Sequence, residues 1–290
     1  MSEPVLVTAA PCALKTGLPV GTRLCAIGDV HGQSAALHAL LDRFAMDCGA
    51  HDRNVLVVLG DLNDRGPDSL GAIDAVIEAV DNPAALGFDE VVPLMGNHEQ
   101  MMRLTLEEQP GGDPWLWLFN GGSGVVAELG CPPPVNPTLV FGLDLDMANR
   151  EFVSQLAAGL GERRLAYLKN LRSHYQEGRL LFVHAGVDPE AKPAVFLAEP
   201  WNRLDDNHWA WIREPFLNSR EPVPGLVVVH GHTPVRWTPP TGSADAIASL
   251  HRLRDGRINL DGGSAASGCV AGAEFTQTDY RIVMVFEPRR

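Results

Sequence analysis

Side chains able to act as ligand, acid or base recur in this sequence directly behind short apolar runs. Leu24 to Ile27 runs into Gly28-Asp29, with His31 two residues on, and Val55 to Leu59 runs into Gly60-Asp61, followed by Asp64-Arg65. Val91 to Met95 leads to Gly96, Asn97 and His98; Leu180 to Val183 leads to His184; Leu226 to Val229 leads to His230-Gly231-His232. The set contains carboxylates, an amide, imidazoles and a guanidinium, and no cysteine. Oxygen and imidazole donors of this kind suit hard or borderline divalent ions. A single tetrahedral ion takes only three or four ligands. Asp29, His31, Asp61, Asn97, His184 and His232 are therefore too many for one ion, but they fit two ions sharing a carboxylate. Two ions about 3.5–4 Å apart clamp an in-line displacement at phosphorus and lower the pKa of a shared water. An arginine adds the bidentate fork that phosphate favours.

These residues need a scaffold that gathers them. Short Val- and Leu-rich runs bounded by glycine read as buried strands. Between them, Leu37, Leu40, Leu41 and Phe44 form a helical stripe over 33–44, and Leu70, Ile73, Ile77 and Val80 form another over 68–80. Pro67 fits the first position of the second helix. The alternation implies βαβ units and a largely parallel sheet, whose ligands bind beyond the carboxyl ends of the strands. Late strands near 258–260 and 281–286 are expected in a second sheet. Residues 1–22, with three prolines and two glycines, read as an irregular lead-in. Residues 23–290 read as one domain, with an insertion or cap over about 109–150 that holds GGDP, WLWLFNGGSG and PPPVNP.

Composition narrows the partners. The chain has 290 residues, 45% hydrophobic and 20% charged, which is ordinary for a globular protein with its own core. Lys plus Arg number 23 against 36 Asp plus Glu, a formal charge of −13. That balance argues against nucleic acid and against an anionic membrane surface, both of which need a basic footprint. Five scattered cysteines without a CxxC argue for free thiols in a reducing compartment. With no basic segment leading into a long apolar stretch, a cytoplasmic location is expected.

The blocks GDVHG (28–32), GDLNDRG (60–66), GNHE (96–99), HAG (184–186) and GHT (231–233) resemble, in order and spacing, the signature of the PPP-type metallophosphatases, bacterial serine/threonine protein phosphatases included. These belong to the calcineurin-like metallophosphoesterase superfamily. NGG (120–122) and WIRE (211–214) also resemble segments of the bacterial members. The resemblance implies an α/β fold, a four-layer αββα metallophosphoesterase sandwich of two mixed sheets flanked by helices. It implies Asp29 and His31 on a first metal, Asp61 bridging, and Asn97, His184 and His232 on a second. His98 would protonate the leaving group, Asp64 would orient His98, and Arg65 and Arg213 would bind phosphate. The implied reaction is direct attack on phosphorus by a hydroxide bridging two metals, Mn²⁺ first, Fe or Zn otherwise. The implied substrate is a phosphorylated protein, Ser/Thr before Tyr, or a small phosphoester.

Two rivals stand beside this reading. A symmetrical dinucleoside polyphosphate hydrolase, acting for instance on diadenosine tetraphosphate, shares most of the blocks. Such enzymes tend to lack the aspartate that Asp64 supplies, because their leaving group needs less protonation. A metal-binding scaffold without activity is opposed by the intact ligand set. His230, two residues before His232, is expected to support the site without being a ligand. His38, His51, His174, His208 and His251 are expected to be solvated or core histidines. Arg203, Arg220 and Arg236 compete with Arg213. Trp115, Trp117, Trp201, Trp209 and Trp211 are expected to anchor long loops, some of them walling the substrate groove. Asn63 stands where the family usually has an apolar residue and should lie beside the metals. The stretch Gly262–Gly268 should border the site.

Overall fold

The computed structural model describes residues 4–134, 145–235 and 244–287. Eleven strands run β1 (Val5–Thr8), β2 (Cys12–Ala13), β3 (Thr22–Ile27), β4 (Arg53–Val58), β5 (Glu90–Pro93), β6 (His174–Glu177), β7 (Leu180–Val183), β8 (Val227–His230), β9 (Arg257–Asn259), β10 (Cys269–Phe275) and β11 (Asp279–Phe286). The α-helices are α1 (Ser34–Ala45), α2 (Ser69–Asp81), α3 (Asn97–Leu106), α4 (Pro114–Trp117), α5 (Ser123–Glu128), α6 (Leu145–Lys169), α7 (Pro193–Phe196), α8 (Ala244–Leu250) and α9 (Ser264–Ser267). The strands form two mixed sheets. The larger follows β1-β11-β10-β3-β4-β5, with β2 also on β11, and the smaller follows β6-β7-β8-β9. Strands β3, β4 and β5 are mutually parallel, as are β7, β8 and β9.

The near-continuous apolar runs are explained by burial on both faces. On β4, Val55 and Val57 point into the space between the sheets, where they join Leu180, Phe182, Val227 and Val229. Leu56 and Val58 point the other way, into a layer built from α1, α2, α3, α5 and α6. Strand period two alone makes this division. The stripe on α1 is completed by Leu37, Leu40, Leu41 and Phe44, all buried; each such side chain contributes roughly 1.5–3 kcal/mol. The outer face of the small sheet, with Leu181, Val183 and Val228, is covered by Phe196, Trp209, Ile212 and Phe216. That fourth layer contains α7 but is mostly irregular chain.

Several expectations need correction. The 1–22 segment is not wholly irregular: β1 and β2 pair antiparallel with β11 and belong to the main sheet. Strand β11 lies in the larger sheet and only β9 in the smaller, because the β10–β11 hairpin returns the chain to β3. Pro67 is not the first residue of α2: the helix begins at Ser69, and the Asp68 side chain caps it by accepting the Gly71 N–H. Within the 109–150 segment, α4 packs on α3 and α5 on α2; residues 135–144 lie outside the described residues. Among the described residues no helix is long and apolar enough to cross a membrane.

The strand that leads into Asp29 carries a buried arginine. Arg23 donates to Glu274 at 2.6 Å and, through both terminal nitrogens, to the Phe44 carbonyl at 2.9 Å. It thereby ties β3 to β10 and to the end of α1. Glu274→Ala should destabilise the protein by about 3–5 kcal/mol in urea unfolding, because it strands a buried guanidinium. Arg23→Met combined with Glu274→Leu should recover most of that loss.

Candidate active site

The parallel strands of both sheets end on the same side of the molecule, and their following residues meet there. Asp29, His31, Asp61, Asn97, His98, His184 and His232 are all at least 94% buried. Asp61 is central. Its Oδ2 lies 3.6 Å from His31 Nε2 and 3.5 Å from His184 Nε2. Its Oδ1 accepts the His98 N–H at 3.0 Å, at the positive end of α3. Asn97 Oδ1 faces His232 Nδ1 at 2.8 Å and His184 Nε2 at 3.1 Å. Asp29 approaches from β3 and accepts the His232 N–H with both oxygens at 3.1 Å.

Three of the imidazoles have one nitrogen held by a backbone carbonyl. His31 Nδ1 donates to Asn63 O at 2.9 Å, His184 Nδ1 to Leu59 O at 2.9 Å, and His232 Nε2 to Trp211 O at 3.0 Å. This sets the tautomer and leaves the opposite nitrogen, with its lone pair, turned toward the shared oxygens. The arrangement is the one that ligating histidines require. Ligand atoms of His31, Asp61 and His98, and of Asp61, His184 and His232, each fall within 4.8 Å of one another. The donors thus form two groups meeting at Asp61, each of which could hold a divalent ion; His98 stands in the first group, and Asp29 falls in neither.

The electrostatics point the same way. Burial alone would lower the pKa of His184, but Asp61 and Asp29 raise it to about 9. Burial, and then the charge of Asp261, hold the Asp29 carboxyl well above its ordinary value. The pull is uneven across the cluster: burial lowers His31 to about 3 and holds His232 well below its ordinary value, so those two imidazoles keep the lone pair that a cation needs.

Local backbone is bent to make this possible. Seven described non-glycine residues have positive φ, and five of them are His31, Asp61, Asp64, Arg65 and His232. Such strain concentrates where the surrounding structure over-determines the conformation. Here Glu99 does much of that holding: its carboxylate accepts the N–H groups of Gly96, Asp61 and Leu62 at 2.7–2.9 Å. Two glycines allow the carboxylates to come close. A Cβ on Gly231 would stand 2.0 Å from Asp29 Oδ1, and one on Gly96 would stand 2.1 Å from Asp61 Oδ1.

Beside the two groups stands an acid–base pair. His98 Nδ1 lies 2.6 Å from Asp64 Oδ2, and the Trp117 indole N–H donates to both Asp64 oxygens at 2.9 and 3.1 Å. Asp64 and Trp117 are both fully buried. With Nδ1 committed to Asp64, His98 has only Nε2 to present to a reacting group. Arg65 is exposed at the edge; its Nε donates to Asn120 O at 3.0 Å and its Nη1 to His31 Nε2 at 3.2 Å. Arg213 is exposed, and its charge helps, after burial and His184, to hold His232 below the usual imidazole range. Of its rivals, Arg203 is paired with Glu199 and Asp205, and Arg236 lies outside the described residues.

Other expectations fall out variously. His230 turns to the opposite face of its sheet, packing edge-on against Phe216 with ring centroids 5.0 Å apart. His208 and His251 are buried core histidines. The Asn63 side chain is buried with neither amide atom hydrogen-bonded, while its backbone carbonyl holds His31. Gly262–Gly268 does border the site: with His31, Arg65, His232 and Pro234 it lines a cavity of about 330 Å³. Sequence reasoning missed the roles of Glu99, Trp117 and Asp261. Glu99 is part of the GNHE block, and the carboxylate after β9 could have been suspected by the same strand-end rule that singled out Asp29. Trp117 carried no signal beyond its place in the insertion.

Residues 22–261 match the model of the calcineurin-like phosphoesterase family. The chain belongs to that family. It is 27% identical over 257 residues to a symmetrical bis(5'-nucleosyl)-tetraphosphatase of Acidovorax sp. (strain JS42), covering 86% of this chain and 73% of that one. Over a shorter stretch of 96 residues it is 36% identical to serine/threonine-protein phosphatase 1 of Salmonella typhimurium, covering 33% of this chain and 37% of that one. A protein serine/threonine phosphatase structure from Saccharomyces cerevisiae superposes with a TM-score of 0.50 at 12% identity, covering 93% of this chain and 81% of that one. Family membership makes the metallophosphoesterase a phosphoester hydrolase.

Gly231→Ala should be poorly tolerated for its size, because the new methyl drives into Asp29. The expected outcome is loss of divalent-ion binding in calorimetry. Trp117→Phe should leave ion binding intact while lowering kcat, because only the Asp64–His98 pair loses a hydrogen bond.

Proposed function

We propose that this metallophosphoesterase removes phosphate from phosphoproteins, on Ser/Thr before Tyr, using two divalent ions. The observation that carries the reading is the 2.6 Å contact between His98 and Asp64, backed by Trp117. A phosphoserine leaves as a poor alkoxide and needs a proton delivered to its oxygen; a general acid held by a buried carboxylate meets that need. Asp29 and His31 would hold one ion, Asn97, His184 and His232 the other, with Asp61 between them. When bound, such ions supply Lewis acidity toward phosphoryl oxygens and a water made acidic enough to ionise near neutral pH. Mn²⁺ is the first candidate, with Fe or Zn also suited to the donors.

The protein's own residues then have separable tasks. Arg65, fixed by Asn120 O, and Arg213 grip the phosphoryl oxygens and neutralise charge as it builds in the transition state. A water oxygen forms the new bond to phosphorus as the bond to the leaving oxygen breaks. The proton on His98 Nε2 passes to that oxygen, while Asp64, 2.6 Å from Nδ1, keeps the ring aimed. The surrounding burial keeps bulk water from competing. A reducing, cytoplasmic setting suits the protein's five free cysteines.

A second reading is dinucleoside polyphosphate hydrolysis. It is favoured by the tetraphosphatase relative, whose likeness extends over most of the chain, and by the cavity beside Arg65, which has room for a small planar group.

With Mn²⁺ the protein should hydrolyse p-nitrophenyl phosphate, and EDTA should abolish the activity. Phosphoserine peptide, phosphotyrosine peptide and diadenosine tetraphosphate should then be assayed side by side. Preferential turnover of phosphoserine is expected, whereas preferential cleavage of the dinucleotide would establish the second reading instead. His98→Asn should lower kcat on phosphoserine by about 10²–10⁴. The loss should be smaller on p-nitrophenyl phosphate, whose leaving group needs little protonation.

A further inference from the structure

Two tryptophans of the 200–213 segment, Trp201 and Trp211, sit against α3. Successive turns of that helix put Asn97, Gln100 and Arg103 on one face. Asn97 belongs to the site. Gln100, one turn on, is fully buried and spends its whole amide on the segment. Its Oε1 accepts the Trp211 indole N–H, and its Nε2 donates to Trp201 O at 2.5 Å and Arg203 O at 3.1 Å. Arg103 continues the contact, its guanidinium lying 3.6 Å over the Trp201 ring.

Trp211 in turn touches His232 twice. Its carbonyl accepts His232 Nε2 at 3.0 Å, and its ring stands edge-on to the imidazole with centroids 6.1 Å apart. Arg213 follows two residues later. The segment has no strand and no α-helix between Trp201 and Arg213; the Trp211 N–H donates to His208 O at 2.8 Å and the Ala185 N–H to Trp209 O at 3.1 Å, and Gln100 adds the side-chain anchor on the α3 side.

We infer that Gln100 is a positioning residue: by holding Trp211 it orients His232 toward Asn97 and places Arg213 at the phosphate. The role rests on the reading that His232 holds a metal and Arg213 a phosphoryl group. It is distinct from the direct roles of Asn97 and His98, because Gln100 acts only through the segment it clamps. The chemistry is that of an outer-shell hydrogen bond one residue removed from the ligand, and loss of such bonds typically weakens metal binding 10–100-fold.

The test is a double-mutant cycle with Gln100→Leu, Trp211→Phe and the pair together. Mn²⁺ binding is measured by calorimetry on the metal-free full chain, and p-nitrophenyl phosphate kinetics at saturating Mn²⁺. Each single substitution should weaken the second of two bound Mn²⁺ ions by about 10-fold or more, leaving the first unchanged. Each should also raise KM more than it lowers kcat, because Arg213 is displaced while His98 is not. The double variant should be no worse than Gln100→Leu alone, since that change already breaks the bond to Trp211 along with those to Trp201 and Arg203. Trp211→Phe preserves the ring's bulk and keeps the test usable should Gln100→Leu fold poorly. Two tightly bound Mn²⁺ ions in every variant, or additive losses in the pair, would overturn the inference and leave the metal site standing. A wild-type chain that binds no Mn²⁺ would overturn the metal reading itself.

Discussion

Everything at this site depends on keeping one ionised carboxylate in a dry place. Asp61 is almost wholly buried, and a carboxylate taken out of water is costly unless its charge is answered. Here the answer comes from several sides at once. The start of α3 donates a backbone N–H to Oδ1, and the imidazoles of His31 and His184 stand within 3.6 Å of Oδ2. Glu99 fastens the loop on which Asp61 rides to the turn preceding α3. The same geometry that makes Asp61 tolerable puts it where two cations could share it, because its two oxygens are held between groups arriving from different strands. Positive φ at Asp61 itself is accepted as part of that arrangement.

The fold supplies the directions from which those groups arrive. Three parallel strands of each sheet end on the same side, so short loops can deliver side chains into a common volume. Hydrogen bonds between loops then lock the ends together: Gly231 N to His184 O across the small sheet, and His232 N to Asp29 between the sheets. Backbone carbonyls orient three histidines, so the tautomers follow from main-chain geometry and survive changes in neighbouring side chains. The acid pair is built on a different principle. His98 comes from α3, Asp64 from the loop after β4, and Trp117 from the insertion, so the insertion reaches the pair through a buried hydrogen bond.

Much of this was legible beforehand because it is local. Glycine, carboxylate and imidazole adjacent in sequence behind a Val- and Leu-rich run imply a strand that stops and a loop that presents ligands, and Asp29, Asp61, Asn97, His184 and His232 follow that rule. The helical stripes on α1 and α2 were equally legible, because an amphipathic period is a property of consecutive residues. What escaped was long-range. Nothing near Val5 shows that it will pair with Phe286, since strand pairing is a meeting of distant segments. Strand β11 was placed in the wrong sheet for the same reason: a run of alternating apolar residues states that it is a strand and not which neighbour it will have. The fourth layer looked as if it should be helical, yet Trp209, Ile212 and Phe216 cover the small sheet from irregular chain, because apolar area needs covering and not a particular secondary structure.

By itself, the sequence determined the donor chemistry, the strand-and-loop rhythm that carries it, and the family whose reaction it serves. These are written in residues a few positions apart, where backbone sterics and side-chain type decide the outcome. Tertiary structure alone decided that His98 and Asp64 share a 2.6 Å contact under Trp117, that His230 faces away while His232 faces in, and that a glutamine on α3 grips a tryptophan more than a hundred residues on. Those facts depend on how two sheets and an insertion pack. Packing is set by the sum of many distant burials that no local window contains.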